Sequence, residues 1–349
     1  MPDPVFINGR FLTQEVTGIQ RYSYELCMAL IRVGVEIIIL APKKIRKEYS
    51  PECRIIQFGI FKGILWEQVD LPFFLLKHKN PLLINFGSPG PVFYKNRIVT
   101  VHDLAIYVNP AWFSQSYSFY YRLVMPVYTR RSKKVITVSE FSKKEIMKMT
   151  GIPDDKITVI HSAVSDTISE HPSRPTIKSD PYILILASLD PRKNMARLVE
   201  AYKLAGIEKD IKLVLAGKSD PVFNMKLSKD IRLRSIGYIP DEALASLYQN
   251  AALFIYPSLY EGFGLPPLEA MALGCPVILS DIPVFREIYG DAAHFVDPYD
   301  TGSIRDGILR VLKDELYRDQ LIRRGKEKAH EYSFSRSAEK LAEIIRSFA

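Results

Sequence analysis

Two successive series of strand-length apolar runs, each interleaved with amphipathic helical stretches, set the strongest limit on what this chain can become. The first series is Pro4–Asn8, Glu36–Leu40, Leu82–Asn85, Ile98–His102, Val135–Val138 and Ile157–Ile160, with helical periodicity at Gln20–Val33, Ser114–Ser132 and Ser142–Thr150. The second is Tyr182–Ala187, Lys212–Ala216, Ile231–Ser235, Ala252–Pro257, Pro276–Ser280 and Ala293–Val296, with helices expected at Met195–Leu204, Asp241–Asn250, Pro266–Leu273, Val284–Ile288 and Thr301–Asp314. Alternating strands and helices predict parallel sheets covered by helices on both faces. The stretch Asp166–Asp180 carries two prolines, many polar residues and little periodicity, so it reads as a joint. The expected fold is α/β, two Rossmann-like doubly wound domains over residues 1–167 and 180–330 facing a central cleft. A helical tail over 335–349 can pack back on domain one. In open sheets of this kind ligands bind beyond the carboxyl ends of the strands, so residues just after strands are where chemistry is expected.

The 349-residue length suits two domains. Cys27, Cys53 and Cys275 are scattered and odd in number, which predicts a reducing compartment and no disulfide framework. No apolar run reaches the roughly 18 residues that cross a bilayer. The N-terminus lacks the layout of a secretory signal, so a cytoplasmic protein is expected. Net charge is +8, and residues 1–165 hold 22 Lys and Arg against 13 Asp and Glu. The basic excess therefore lies in the first half, where it either solvates a face or favours anionic partners such as phosphates or acidic lipid headgroups. No RRM, KH or helix-turn-helix signature accompanies it, which argues against nucleic acid as a partner. Also missing are a P-loop, a G-x-G-x-x-G after the first strand, a G-x-S-x-G elbow, zinc-ligand histidine spacing and any D-x-D pair.

The most informative segment is Tyr260–Met271, Y-E-G-F-G-L-P-P-L-E-A-M, which follows a predicted strand. Gly262 and Gly264 permit a tight backbone path, and Pro266 and Pro267 suit a first helical turn. Free N–H groups and a positive dipole end at that helix start suit an anion such as a diphosphate. Glu261 and Glu269, eight positions apart, can each accept hydrogen bonds from sugar hydroxyls. Arg192 and Lys193, after another strand and before a helix, place two cations where a diphosphate can sit.

E-G-F-G-L-P-P-L-E resembles the E-x7-E signature of retaining GT-B glycosyltransferases of family 4. Further pieces fall in that family's order: Thr17–Tyr22 resembles its early glycine loop, Val101-His102-Asp103 its strand-end His-Asp, Val138–Ser142 its V-S-x-x-S segment, and Ser188–Asn194 its donor-phosphate motif. Pro276-Val277-Ile278 resembles the strand after the E-x7-E helix, and the likeness runs from about residue 8 to 300. It implies a metal-independent transfer, without cofactor, of a sugar from a nucleotide donor with retention at the anomeric carbon. Arg192 and Lys193 then meet the leaving diphosphate, Glu261 the transferred sugar and Glu269 the ribose. His102 would bond a sugar hydroxyl, the Gly18 amide would approach a phosphate or the acceptor, and Gly262, Phe263, Gly264, Leu265 and Lys218 would complete the donor site.

S-L-D-P-R-K-N is similar to bacterial polysaccharide mannosyltransferases, which makes GDP-mannose the first choice of donor, with UDP- or TDP-sugars as alternatives. The implied acceptor is a lipid-linked saccharide, as in O-antigen assembly, with the basic half resting on an anionic inner membrane face; a small soluble acceptor is the competing reading. An epimerase of the same architecture and a nucleic-acid-binding protein are the rival classes. The chain departs from the family pattern at His161–Val164 and at Ala216–Ser219. Ser142–Glu145 matches a capping box, Asp103 reads as an orienting or capping residue, and Trp66 as a half-buried core residue, with contact of Trp66-Glu67-Gln68 to the acceptor as the alternative.

Overall fold

The computed structural model describes residues 4–46, 52–169, 180–186, 190–217, 233–235 and 241–348. Two parallel sheets organise them. The first has seven strands: β1 (Val5–Asn8), β2 (Ile37–Ala41), β3 (Arg54–Gln57), β4 (Leu83–Asn85), β5 (Arg97–Thr100), β6 (Lys134–Thr137) and β7 (Ile157–Val159), in the order β3-β2-β1-β4-β5-β6-β7. The second has six: β8 (Tyr182–Leu186), β9 (Lys212–Ala216), β10 (Leu233–Ser235), β11 (Leu253–Tyr256), β12 (Val277–Ser280) and β13 (His294–Val296), in the order β10-β9-β8-β11-β12-β13. Central strands are buried on both faces, as at Ile37–Ala41 and Leu253–Tyr256. Register sets Ile7 against Ile39 on one side and Ile84 on the other.

Each strand order reverses once, between β1 and β4 in the first sheet and between β8 and β11 in the second. At such a point the flanking connections leave in opposite directions and open a crevice at the carboxyl ends of the strands. Strand β3 was not expected from the sequence. It is an edge strand with Arg54 and Gln57 exposed, so it lacks the continuous apolar run that marks its neighbours.

The chain divides into two compact units, Met1–Ser162 with Ser333–Ala349, and Ala163–Tyr332. The boundary between these units falls at Ser162–Ala163. Asp166–Ser169 forms a helical turn packed on the helix Asp241–Asn250 of the second unit, and residues 170–179 of the predicted linker lie outside the described residues. The tail helix, Phe334–Arg346, buries Phe334, Ser337, Ala338, Leu341, Ala342 and Ile345 along one stripe and packs on the helix Gly18–Arg32. The Phe334 ring meets Tyr22 at 6.3 Å between centroids, and the Ser337 hydroxyl donates to the His161 carbonyl at 2.8 Å.

Two local readings are corrected. The helix Glu140–Thr150 begins earlier than expected, and its cap is Ser139, whose side chain accepts from the Ser142 amide at 3.1 Å; Ser142 lies inside the helix. Ser139 directly follows β6 and the turn at Val138, so the chain is still extended there and has the backbone geometry of an N-cap. Trp66 is fully buried rather than half-buried, tilted against Phe58 and donating from its indole to the Phe58 carbonyl at 3.0 Å.

Candidate functional site

In the second unit the reversal point gathers residues from two loops. After β8 the chain makes a short 3₁₀ turn, Pro191–Lys193, capped by Asp190, whose side chain accepts from the Arg192 amide at 2.9 Å. Asp190 followed by Pro191 starts such a turn because the carboxylate bonds the backbone two residues on while proline presets φ. Asn194 closes the turn at φ 56°, a left-handed value asparagine tolerates, and its amide donates to the Pro298 carbonyl at 2.6 Å.

After β11 the second loop passes Tyr260–Phe263 and enters the helix Leu265–Ala272 at Gly264. Gly264 has φ 93°, and a Cβ there would lie 2.6 Å from the Phe285 ring, so both backbone and space demand glycine. The Tyr289 hydroxyl donates to the Gly264 carbonyl, and the Phe263 ring meets Tyr332 edge-on at 5.6 Å. Pro266 and Pro267 carry no N–H, so in the first turn of this helix the amides that remain are those of Gly264 and Leu265, with Gly262 and Phe263 in the loop before them. The loops are stitched together where the Leu259 amide donates to the Arg192 carbonyl at 2.8 Å.

Lys193 and Glu261, 68 residues apart in sequence, meet here: Nζ lies 2.6 Å from Oε1 and also donates to the Tyr256 hydroxyl at the end of β11. Burial alone would lower the Lys193 pKa, but the Glu261 carboxylate and Tyr256 outweigh it and hold the ammonium above its ordinary value. Burial and the same carboxylate push the Tyr256 hydroxyl up to about 12. Arg192 bonds Asp190, Nε at 2.8 Å and Nη2 at 2.6 Å from Oδ2. Glu269, one turn into the helix and buried, accepts from the Tyr248 hydroxyl at 3.0 Å. The structure thus joins Arg192, Lys193, Glu261 and the Gly262–Leu265 loop at one point, with Glu269 on the helix behind it. Asp190, Tyr248 and Tyr256 belong to this arrangement but were not singled out from the sequence. Lys218 lies outside the described residues; Gly217 before it has φ 138°.

In the first unit, Gly18 is the first residue of its helix, exposed, with Thr17 at the cap position. A Cβ on Gly18 would meet nothing within 4 Å, so any need for glycine there comes from a ligand rather than from the protein. His102 lies just beyond β5, with the Tyr22 ring edge-on at 5.0 Å. Its Nε2 is 2.7 Å from the Phe86 carbonyl, which can only accept, so the proton sits on Nε2 and Nδ1 is the acceptor in the neutral ring. Burial lowers the His102 pKa below 6.5 despite the Phe86 bond and Asp103, which keeps the ring neutral near pH 7. Asp103 accepts from the Ala105 amide at 2.9 Å, a capping role.

Doubly wound parallel sheets in two units, with cations, carboxylates and helix-start amides at one reversal point, define a GT-B glycosyltransferase. The fold is that of WaaG, a glycosyltransferase involved in lipopolysaccharide biosynthesis (TM-score 0.77, 16% identity, 98% of this chain and 99% of that one), and of sucrose-phosphate synthase from Thermosynechococcus elongatus (TM-score 0.74, 20% identity, 99% and 98%). Residues 16–167 match the family described as Glycosyltransferase Family 4, and residues 166–328 match Glycosyl transferases group 1. O-antigen chain mannosyltransferase B of Escherichia coli is 34% identical over 266 residues, 70% of either chain. O-antigen chain mannosyltransferase RfbU of Salmonella typhimurium strain LT2 is 31% identical over 245 residues, 66% of this chain and 67% of that one. The chain belongs to the group 1, family 4 glycosyltransferases, and it is an enzyme of that class. A nucleotide-sugar donor and a saccharide acceptor follow from the family.

Proposed function

We propose that the protein transfers mannose from GDP-mannose, with retention, to a lipid-linked saccharide during cell-surface polysaccharide assembly. The arrangement of Arg192, Lys193 and Glu261 at the β8/β11 reversal carries this reading. The names of the similar relatives supply the sugar: besides the O-antigen enzymes they include a phosphatidyl-myo-inositol mannosyltransferase of Mycobacterium leprae, 26% identical over 227 residues.

In this reading the second unit holds the donor and the first the acceptor. The diphosphate takes the Arg192 and Lys193 side chains and the amides of Gly262, Phe263, Gly264 and Leu265, with Lys218 nearby in sequence to the end of β9. Glu269 accepts from the ribose hydroxyls. Glu261 accepts from a hydroxyl of the transferred sugar; in the first unit, His102 Nδ1 is suited to accept from a sugar hydroxyl and the Gly18 amide to meet a phosphate or the acceptor. The bond from the anomeric carbon to the phosphate oxygen breaks, the acceptor oxygen bonds to that carbon on the same face, and the acceptor's proton moves to the departing phosphate. Charge builds on that phosphate in the transition state, so prearranged donors lower the barrier most there. Two cations and a helix start neutralise the charge in place of a divalent ion, so activity is expected to survive a chelator. The basic first half, +9 over residues 1–165, suits peripheral contact with an anionic inner membrane face. Among the described residues no helix is long and apolar enough to cross a membrane.

A donor panel of GDP-mannose, UDP-glucose, UDP-galactose and TDP-rhamnose, scored by thermal shift and by donor hydrolysis, tests the reading. Stabilisation and hydrolysis selective for GDP-mannose are expected. Selectivity for a UDP- or TDP-sugar would replace the sugar assignment, and a free sugar isomer as product would replace transfer by epimerisation.

A further inference from the structure

Asp190 carries out two tasks with one carboxylate. Its Oδ1 accepts from the Arg192 amide at 2.9 Å and so caps the turn, while its Oδ2 takes the Arg192 guanidinium at 2.6 and 2.8 Å. Both partners are largely enclosed, with side-chain exposures of 10% and 18%, so the charges feel each other strongly.

The first unit shows that the charge is not needed for the turn. After β1 the chain makes a longer 3₁₀ turn, Gly9–Thr13, with the same kind of cap: the Asn8 side-chain oxygen accepts from the Arg10 amide at 3.1 Å. Asn8-Gly9-Arg10 and Asp190-Pro191-Arg192 thus match position for position: a capping side chain, then an arginine two residues on. A neutral amide caps the first turn; a carboxylate caps the second. What the carboxylate adds is a counter-ion on the arginine offered to the diphosphate. Lys193 is matched in the same way by Glu261 at 2.6 Å, so the four side chains carry no net charge.

We infer that Asp190 is a positioning residue and internal counter-ion that aims the Arg192 guanidinium and limits how tightly the nucleoside diphosphate product is held. An uncompensated arginine beside Lys193 and a helix start would grip the product diphosphate, and its departure would then set turnover. With Asp190 present, the guanidinium exchanges one anion for another, and the product leaves. The inference rests on the donor site proposed above.

The test substitutes Asp190→Asn, which keeps the capping oxygen and the size and removes the charge. Asp190→Ser, also neutral and a good capping side chain, serves as the second variant. Binding of GDP, UDP and TDP is measured by calorimetry, together with KM, kcat and product inhibition with GDP-mannose. The expected result for both variants is nucleoside diphosphate binding tighter on the order of tenfold. Stronger product inhibition, a lower kcat and a lower KM should accompany it, even where loss of the enclosed ion pair lowers the melting temperature. A merely structural role would weaken nucleoside diphosphate binding, and that result overturns the inference. Wild-type binding with no tightening in either variant overturns the counter-ion role and leaves the donor site standing. A wild-type chain that binds none of the three diphosphates overturns the donor site, and the inference with it.

Discussion

The two reversal points hold similar groups and differ in what reaches them. In the first sheet Arg10, after β1, meets Glu67 at 2.5 Å; in the second Lys193, after β8, meets Glu261 at 2.6 Å. In the first pair it is the carboxylate that is sealed, while the Arg10 side chain keeps 15% exposure. Asn8 donates to Glu67 at 2.7 Å and to Asn85 at 2.9 Å, Ser88 donates to Glu67, and the Glu67 side chain is 2% exposed. In the second pair both side chains keep 13–14% exposure, and a glycine loop with helix-start amides lies alongside. A strand-order reversal therefore opens a crevice, but the protein's own amides and hydroxyls can close it. The Arg10–Glu67 pair reads as architecture, and the Lys193–Glu261 pair as chemistry.

Replacing each cation separates the two roles. Arg10→Ala leaves a buried carboxylate without its counter-charge and should cost the first unit about 3–5 kcal/mol. Both tryptophans, Trp66 and Trp112, belong to that unit, so urea denaturation followed by tryptophan fluorescence reads it selectively. A loss below about 1 kcal/mol would erase the distinction. Lys193→Ala should leave that transition in place and lower kcat by on the order of a hundredfold, because its contribution is to charge that develops in the transition state. Unchanged turnover would make the second pair architectural as well.

Gly264→Ala combines a left-handed backbone with a clash on Phe285. We expect about 1–3 kcal/mol of destabilisation, with donor binding lost alongside; a variant of wild-type stability would mean the loop tolerates a side chain. Tyr248→Phe removes a hydroxyl that donates to Glu269 Oε2 and should weaken donor affinity by about 1–2 kcal/mol, read by calorimetry.

The smallest effect concerns acid. Burial lowers the pKa of His102 in the first unit and, with Arg310, that of His294 in the second. The unfolded chain then binds more protons than the folded one as pH drops below 6.5. Stability from these groups is therefore complete above that value and falls progressively beneath it. The fluorescence midpoint should decline from pH 7 to 5, and His102→Gln should flatten the decline.

Most of the fold could be read from the chain because parallel strands buried on both faces are uninterrupted apolar runs, as Ile37–Ala41 shows. The edge strand Arg54–Gln57 escaped because both its ends are polar and exposed, leaving only Ile55 and Ile56 as signal. The cap of Glu140–Thr150 was misplaced because S-K-K-E and Ser139 compete within four residues, and the end of β6 decides between them. The charged site residues were legible singly, from their place after strands. Their pairing was not, since Lys193 and Glu261 touch only through the neighbouring positions of β8 and β11. Tyr248 and Tyr256 resembled ordinary core aromatics, and their hydroxyl partners appear only in three dimensions. For Asp190 the Asp-Pro turn signal was present, and only its second bond, to the guanidinium, was hidden.

The helix Phe334–Arg346 completes the packing of a unit whose other strands and helices lie before residue 163. During synthesis the face of Gly18–Arg32 that this helix packs on therefore stays uncovered until the ribosome has passed residue 346. The contiguous second unit is finished earlier, which inverts the usual order in which the amino-terminal domain matures first. A fragment ending at Ser162 would emerge with that face wet and sticky, and adding the missing segment as a separate peptide should rescue its solubility.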